Sequence, residues 1–406
     1  MINIIGLGYI GLPTALMFAT HGTEVVGTDY NTHLVNELNA GRTTFKEDGL
    51  EALFEEALNK GITFTTKYQK TDIYIIAVPT PYDKRNKKID PAYVIAAVEN
   101  VLEVCPKGAC IVIESTVPPG TIDRYIRPTI ESKGFVIGKD VHLAHAPERI
   151  IPGNMVYELK YNSRTIGTDS QEIATRIKEL YTSFCQSEIV TTDIRTAEMT
   201  KVVENTFRDI NIAYANELTK ICRREGMDVY EIIRIANKHP RVNILSPGPG
   251  VGGHCISVDP WFLVGDFPDL ANLIWQARKI NDSMPEFVLE RIHNIMKDQS
   301  ITDVGRVGLY GLTYKEDVDD VRESPTLQLL DCMTRHLSSG LKVYDPWVKR
   351  DIVANQYHEF DAFLQDVDLV VIMVAHSEIR ENMDKLQGKV VLDTRKVCEL
   401  PNTYRL

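Results

Sequence analysis

"IIGLGYIGLP", residues 4–13, places Gly6, Gly8 and Gly11 in the pattern G-x-G-x-x-G directly after a short apolar run. In a strand–turn–helix, the first glycine permits the tight turn and the second lets a pyrophosphate approach bare backbone. The third permits close helix–strand packing. The helix that follows offers N–H groups and a positive dipole end to phosphates. Tyr9 and Ile10 lie inside this turn and belong with the cofactor-binding set. The next strand-like run, "EVVGTDY" (24–30), ends on Asp29. That is close to the ~20-residue offset at which a carboxylate meets ribose hydroxyls. Tyr30 and Asn31 follow, with no arginine to receive a 2′-phosphate, so NAD is expected over NADP. Such a corner also forms without a ligand or with another adenine nucleotide, so the glycines need their context.

Outward from this corner, strand-like runs alternate with amphipathic helical ones. "DIYIIAVPTP" (72–81) and "CIVIESTVPPG" (110–120) are strand-like, and "PAYVIAAVENVLEV" (91–104) is helical. This is the βαβ signature of a doubly wound parallel sheet. Thr80 and Thr116 end two of these strands, at the carboxyl edge where ligands sit, although either hydroxyl also suits an ordinary turn.

Near Arg195 the pattern changes. Residues 195–225 contain neither proline nor glycine, and Gly226 suits a C-terminal cap, so one long helix is expected. "VYEIIRIANKH" (229–239) reads as a second helix, and helix is expected over roughly 268–297. Strands return near Ser300 in "GRVGLYGLTYK", "GLKVYDPW", "DLVVIMVAH" and "GKVVLDTRK". The expected organisation is an N-terminal Rossmann domain (1–194), a central helical domain with a long bridging helix (195–299) and a C-terminal Rossmann-like α/β domain (300–406). The two α/β ends share a design without a detectable sequence repeat.

Lys201 and Asn205 are four apart on the long helix and share a face, although a lone lysine there is as readily a solvated charge. Further on, "PGVGGHCISVDP" (249–260) sets Cys255 behind Gly250, Gly252 and Gly253. A metal is not expected, because His254 and Cys255 are adjacent and no second ligand pair stands at the right spacing. Residue types alone leave two readings of the cysteine: a buried inert thiol, or a nucleophile exposed on a glycine-flanked bend near Asp259.

The whole chain of 406 residues has 44% hydrophobic and 25% charged residues and a net charge of −11. Those values suit a soluble multidomain protein and disfavour nucleic acid and anionic membrane as partners. Its seven cysteines are scattered without a C-x-x-C pair, as in reduced cytoplasmic proteins. The opening residues lack the basic flank of a signal peptide, and no apolar run approaches the ~20 residues of a membrane span. A cytoplasmic location is expected.

Over essentially its whole length the sequence resembles the UDP-glucose/GDP-mannose dehydrogenase family. "IGLGYIGLP", "AVPTP", "ESTVPPGT", "APERIIPG", "TAEMTKVVENTFRDINIAYANEL", "GVGGHCISVDP" and "GLTYKEDVDDVRESP" match in order. The stretch "HPRVNILSPGPGVGGHCISVDPWFL" is most similar to the branch acting on UDP-N-acetyl-D-mannosamine. The resemblance implies a C-terminal UDP-binding domain and a four-electron oxidation of the sugar C6 alcohol to a carboxylate with two NAD. It implies that Cys255 captures the aldehyde as a thiohemiacetal and then carries a thioester. Lys201 and Asn205 would stabilise oxyanion character, and either Asp259, or Glu148 with Thr116 through a water, would manage protons and hydrolysis. On the cofactor side it adds Arg322. On the substrate side it adds Glu148, Arg149, Lys201, Asn205, Gly252, Lys315, Arg395 and, loosely, Arg241. It also implies a homodimer through the central helices and a product used in surface polysaccharide. One departure matters: UDP-glucose enzymes carry a second glutamate four residues beyond the one matched by Glu148, and here Pro152 stands there. The N-acetylhexosamine branch is favoured accordingly.

Other readings stay in view. UDP-N-acetyl-D-glucosamine or UDP-glucose as substrate would use the same chemical residues. A single-oxidation dehydrogenase would need neither Cys255 nor a second α/β domain. A nucleotide-binding regulatory protein would have no use for Lys201, Asn205, Cys255 and Asp259 together.

Overall fold

Strands β1 (Ile2–Ile5), β2 (Val25–Thr28), β3 (Thr63–Thr65), β4 (Ile73–Ile76), β5 (Ala109–Ile113), β6 (Val141–His145), β7 (Arg164–Thr168) and β8 (Ile189–Thr192) form one sheet, ordered β3-β2-β1-β4-β5-β6-β7-β8. The computed structural model describes residues 1–253, 255–335 and 340–406; His254 lies outside them. The chain divides into two compact units, Met1–Glu204 and Asn205–Leu406.

In the first unit every neighbouring pair is parallel except β6–β7. Strands β1, β4 and β5 are buried along their whole length, which is why they read as unbroken apolar runs. Successive residues feed opposite faces. Ile4, Ile75 and Val112 pack with Leu12, Leu16 and Phe18 on one side. Ile5, Ile76 and Ile113 pack with Val98, Val101 and Ile122 on the other. Strand order reverses between β1 and β4, so the crevice for a ligand opens at their carboxyl ends.

The long helix is Ile194–Glu225, and Gly226 follows it at φ +69°, the left-handed conformation expected of a terminating glycine. The second helix is shorter than the sequence suggested, Val229–Ala236, capped by the Asp228 side chain accepting from the N–H of Tyr230 and Glu231. The helix expected over 268–297 divides in two, Asn272–Asp282 and Met284–Asp298. Pro285 lacks an N–H and is tolerated in a first turn, so it starts a helix there and does not continue one.

In the second unit β9 (Val307–Tyr310), β10 (Lys342–Tyr344), β11 (Gln356–Tyr357), β12 (Leu369–Ile372), β13 (Val390–Asp393) and β14 (Thr403–Arg405) form an all-parallel sheet ordered β11-β10-β9-β12-β13-β14. This repeats the order of the first six strands of the other sheet, including the reversal beside its first strand. No helix among the described residues is long and apolar enough to cross a membrane. Among them there is also no cluster of His, Cys, Asp and Glu able to hold a metal ion.

Candidate active site

The three glycines of the first corner are required for different reasons. Gly6 has φ +89°, and a Cβ there would lie 2.6 Å from the Ala77 carbonyl oxygen. A Cβ on Gly11 would lie 1.8 Å from the Gly6 carbonyl oxygen. Both glycines therefore serve the turn itself. A Cβ on Gly8 would meet nothing within 4 Å, so its backbone faces open space. The helix Gly11–Thr20 begins after Ile10 with no side-chain cap. The Leu12 N–H donates to the Gly8 carbonyl at 3.1 Å and Pro13 carries none, so the helix offers an external acceptor the Gly11 N–H and its positive dipole end. Asp29 closes the corner: Oδ2 accepts from the N–H of Leu7 at 2.8 Å and Oδ1 from that of Asn31 at 2.9 Å. Tyr9 packs on Phe45 with ring centres 4.4 Å apart. Bare backbone, a helix end with no side-chain cap and a fixed carboxylate fit NAD.

At the neighbouring strand ends, Thr80 Oγ1 donates to the carbonyl of Thr116 at 2.8 Å, joining two residues singled out from sequence. The loop after Thr116 is held by a residue that the sequence reading missed. Glu198, fully buried on the long helix, accepts from the N–H of Gly120 at 2.5 Å and of Ile122 at 2.9 Å. Burial pushes its carboxyl up to about 7 against the pull of those donors. Lys201, one turn further along, is also buried.

Glu148 is buried, accepts from the N–H of Arg149 at 2.7 Å and is ion-paired to the Nη2 of Arg164. Arg149 spends its guanidinium on Ser163, Thr165 and Glu204, the last at 2.7 Å.

In the second unit, Asn205 Nδ2 donates to Asp259 Oδ2 at 2.6 Å, and both residues are buried. Asp259 opens the helix Asp259–Asp266 with Pro260 in its first turn. The N–H groups of Val258 and Asp259 donate back to the carbonyl of Cys255 at 3.0 and 2.8 Å. This turn ties the half-buried cysteine to the head of the helix that carries the carboxylate. The glycines before it make room for protein. A Cβ on Gly252 would lie 2.6 Å from the Glu323 carbonyl oxygen, and one on Gly253 would lie 2.9 Å from the Tyr314 ring. The N–H of Gly253 donates to the carbonyl of Arg322 at 2.9 Å. The cysteine loop thus lies against the segment bearing Lys315 and Arg322.

Arg322 pairs with Asp320 through Nε and Nη2, and the Lys315 carbonyl accepts from Thr313 Oγ1 at 2.8 Å. Arg395 donates from Nε to the Met373 carbonyl at 2.8 Å, and a Cβ on Gly248 would lie 3.0 Å from its Nη1. Arg241 is exposed. The second sheet reproduces the first corner in part: Gly311 has φ +98°, and Asp345 Oδ2 accepts from the N–H of Leu312 at 2.6 Å. Here buried His376 also contacts that carboxylate, through Nε2 at 3.1 Å. The second corner thus carries a buried imidazole on its carboxylate, where the first has backbone N–H groups on Asp29.

Three models of the UDP-glucose/GDP-mannose dehydrogenase family match the chain in order: the NAD binding domain over residues 1–185, the central domain over 195–283 and the UDP binding domain over 308–400. A UDP-N-acetyl-D-mannosamine dehydrogenase of Methanococcus vannielii is 43% identical over 98% of this chain and 92% of its own length. An NDP-N-acetyl-D-galactosaminuronic acid dehydrogenase of Ralstonia nicotianae is 41% identical over 97% of this chain and 95% of its own. The structure of the UDP-N-acetyl-mannosamine dehydrogenase Cap5O of Staphylococcus aureus is similar at a TM-score of 0.89 with 41% identity, covering 100% of this chain and 97% of that one.

Proposed function

The chain belongs to the UDP-glucose/GDP-mannose dehydrogenase family and is an NAD-dependent oxidoreductase, and from that premise we propose that it oxidises C6 of UDP-N-acetyl-D-mannosamine to the uronate. The observation that carries the reading is the Asn205–Asp259 pair, buried at the head of a helix whose preceding turn closes on Cys255. A half-buried cysteine whose backbone turn leads into a buried carboxylate–amide pair suits covalent capture of an aldehyde far better than a single hydride transfer.

The N-terminal glycine corner with Asp29, Thr80 and Thr116 holds NAD, which accepts a hydride at each of two oxidations. Tyr9, Ile10 and Arg322 complete that set. Between the oxidations Cys255 adds through its sulfur to the C6 aldehyde, forming a C–S bond and an oxyanion. The Lys201 ammonium and the Asn205 amide stabilise that oxyanion. Loss of the second hydride leaves a thioester. Water activated by Asp259, or by Glu148 with Thr116, attacks the carbonyl, the C–S bond breaks and the thiolate returns. Covalent retention keeps the half-oxidised carbon from diffusing away. Gly252, Arg149, Arg241, Lys315 and Arg395 bind the nucleotide sugar. The domains act as a cofactor domain (1–194), a central catalytic domain (195–299) and a UDP-binding domain (300–406).

A homodimer through the long helix accompanies this reading. Met199, Val203, Phe207, Tyr214 and Ile221 are exposed apolar residues at spacings that keep them on one face of that helix. A second copy is the natural cover for such a stripe. We place the protein in the cytoplasm, in keeping with seven cysteines that form no disulfide, and assign its product to surface polysaccharide synthesis.

The relative named for an N-acetyl-galactosaminuronic acid is nearly as similar, so a second N-acetylhexosamine is the alternative reading. NADH formation with UDP-N-acetylmannosamine, UDP-N-acetylglucosamine, UDP-N-acetylgalactosamine and UDP-glucose at equal concentration decides it. The mannosamine sugar should give the highest kcat/KM, and a preference for UDP-glucose would overturn the assignment.

A further inference from the structure

Around Glu148 lies a buried charged cluster whose other members have no part in the reaction. Glu114 at the end of β5, Glu148 after β6, Arg164 on β7 and Tyr181 on the helix Gln171–Thr182 are all at least 95% buried. Arg164 is ion-paired through Nη2 to Glu148, while its Nη1 lies 3.7 Å from Oε1 of Glu114. Tyr181 donates its hydroxyl to Glu114 Oε1 at 2.9 Å, and its ring lies 4.5 Å from the guanidinium carbon. Oε2 of Glu114 meets no donor at full hydrogen-bond geometry, although the Thr14 hydroxyl lies close enough to act on this carboxyl. Two carboxyl groups thus share one guanidinium in the buried interior. A net negative charge there is costly, so one carboxyl keeps its proton.

Geometry says which. Glu148 has the close guanidinium contact and a backbone donor, whereas Glu114 has only the long contact at 3.7 Å and otherwise neutral hydroxyl neighbours, Tyr181 and Thr14. We propose that Arg164 and Glu114 are positioning residues for Glu148, with the guanidinium holding the Glu148 side chain in place because Glu114 stays protonated and does not compete for it. The inference rests on Glu148 acting in the reaction. Burial first, and then the charge of Glu148, push the Glu114 carboxyl up to about 8. Facing it are Glu148, Arg164, the Tyr181 phenol, which burial keeps protonated, and more remotely Cys185 beside Arg164. When Glu114 ionises, Arg164 is drawn between two anions and its hold on Glu148 loosens.

The test is kcat between pH 6.5 and 9.5 for wild type, Glu114→Gln and Glu148→Gln, with UDP-N-acetylmannosamine and saturating NAD. Gln fixes the neutral form of residue 114. The ratio of Glu114→Gln to wild-type kcat should rise at least about threefold between pH 7 and 9, with a midpoint near 8, while KM for the sugar nucleotide moves in parallel for both. Taking the ratio cancels titrations common to both proteins, such as that of the thiol. A flat ratio, with Glu148→Gln strongly impaired, overturns the positioning role. Full activity of Glu148→Gln instead removes the catalytic reading of Glu148, and the positioning role with it. Thermal unfolding of Glu114→Gln supplies a second reading. Raised above its unfolded value, Glu114 makes wild type lose stability as pH rises from about 4.5 to about 8, and the variant should lose less; an equal loss in both would also overturn the proposal.

Discussion

Asn205 and Asp259 stand 54 residues apart in the chain and are joined by a 2.6 Å hydrogen bond from Nδ2 to Oδ2, with both side chains buried. The long helix and the turn at Cys255 are fixed to each other through this contact. Replacing Asn205 by Ala strips a donor from a buried carboxylate, which costs about 1–3 kcal/mol. Asn205→Asp is worse, because it sets a second carboxylate against the first. Urea unfolding should rank wild type above Ala and Ala above Asp. NADH production should fall at least about 100-fold in both variants, as expected when a group that stabilises an oxyanion is lost. An Asp variant as active as wild type would contradict the role given to the amide.

The glycine corner separates folding from binding. Gly11→Ala forces a Cβ into the Gly6 carbonyl and should lower stability by about 1–3 kcal/mol. Gly8→Ala meets only open space, so its thermal midpoint should match wild type while NAD affinity falls by about tenfold or more. Calorimetric titration with NAD, beside a melting curve, checks the pair. Equal loss of stability in both variants would remove the cradle from the argument.

Much of this was legible because the decisive features are local. The glycines, Asp29 and the long helix without breakers follow from spacing alone, and the apolar strands announce themselves by being buried on both faces. Strand β7, "RTIGT", did not. It is short, carries an arginine and a glycine, and pairs antiparallel with β6. An arginine in a short run reads as exposed, and nothing nearby in sequence tells that Glu148 neutralises it. Glu198 is similar, since its partners are backbone N–H groups of Gly120 and Ile122. The reason for Gly252 and Gly253 was also hidden, because the atoms that crowd them belong to Tyr314 and Glu323.

His145 gives the fold an acid limit. It is buried, its Nδ1 donates to the Ile113 carbonyl at 2.8 Å, and burial lowers its imidazole from the ordinary 6.5 to about 4. The folded state therefore resists a proton that the unfolded chain accepts. Stability present above pH 6.5 is lost as pH falls toward 4, by up to a few kcal/mol. His145→Asn keeps a donor but does not titrate, so urea midpoints at pH 7 and 4.5 should differ less than in wild type. An equal acid loss in both would contradict this.

Phe207 lies within the exposed apolar stripe of the long helix and is itself 64% exposed. Phe207→Asp places a charge where a second copy would pack. Light scattering should show wild type as a dimer and the variant shifted toward monomer, with its helix content unchanged. A wild-type monomer at micromolar concentration would contradict the assembly.

The most direct measurement is NADH formed per molecule of UDP-N-acetylmannosamine consumed, in wild type and in Cys255→Ala. Wild type should yield two NADH and the uronate, and Cys255→Ala should bind the nucleotide sugar yet release no uronate. One NADH per sugar with aldehyde as product, or undiminished uronate from the alanine variant, would contradict covalent capture at Cys255.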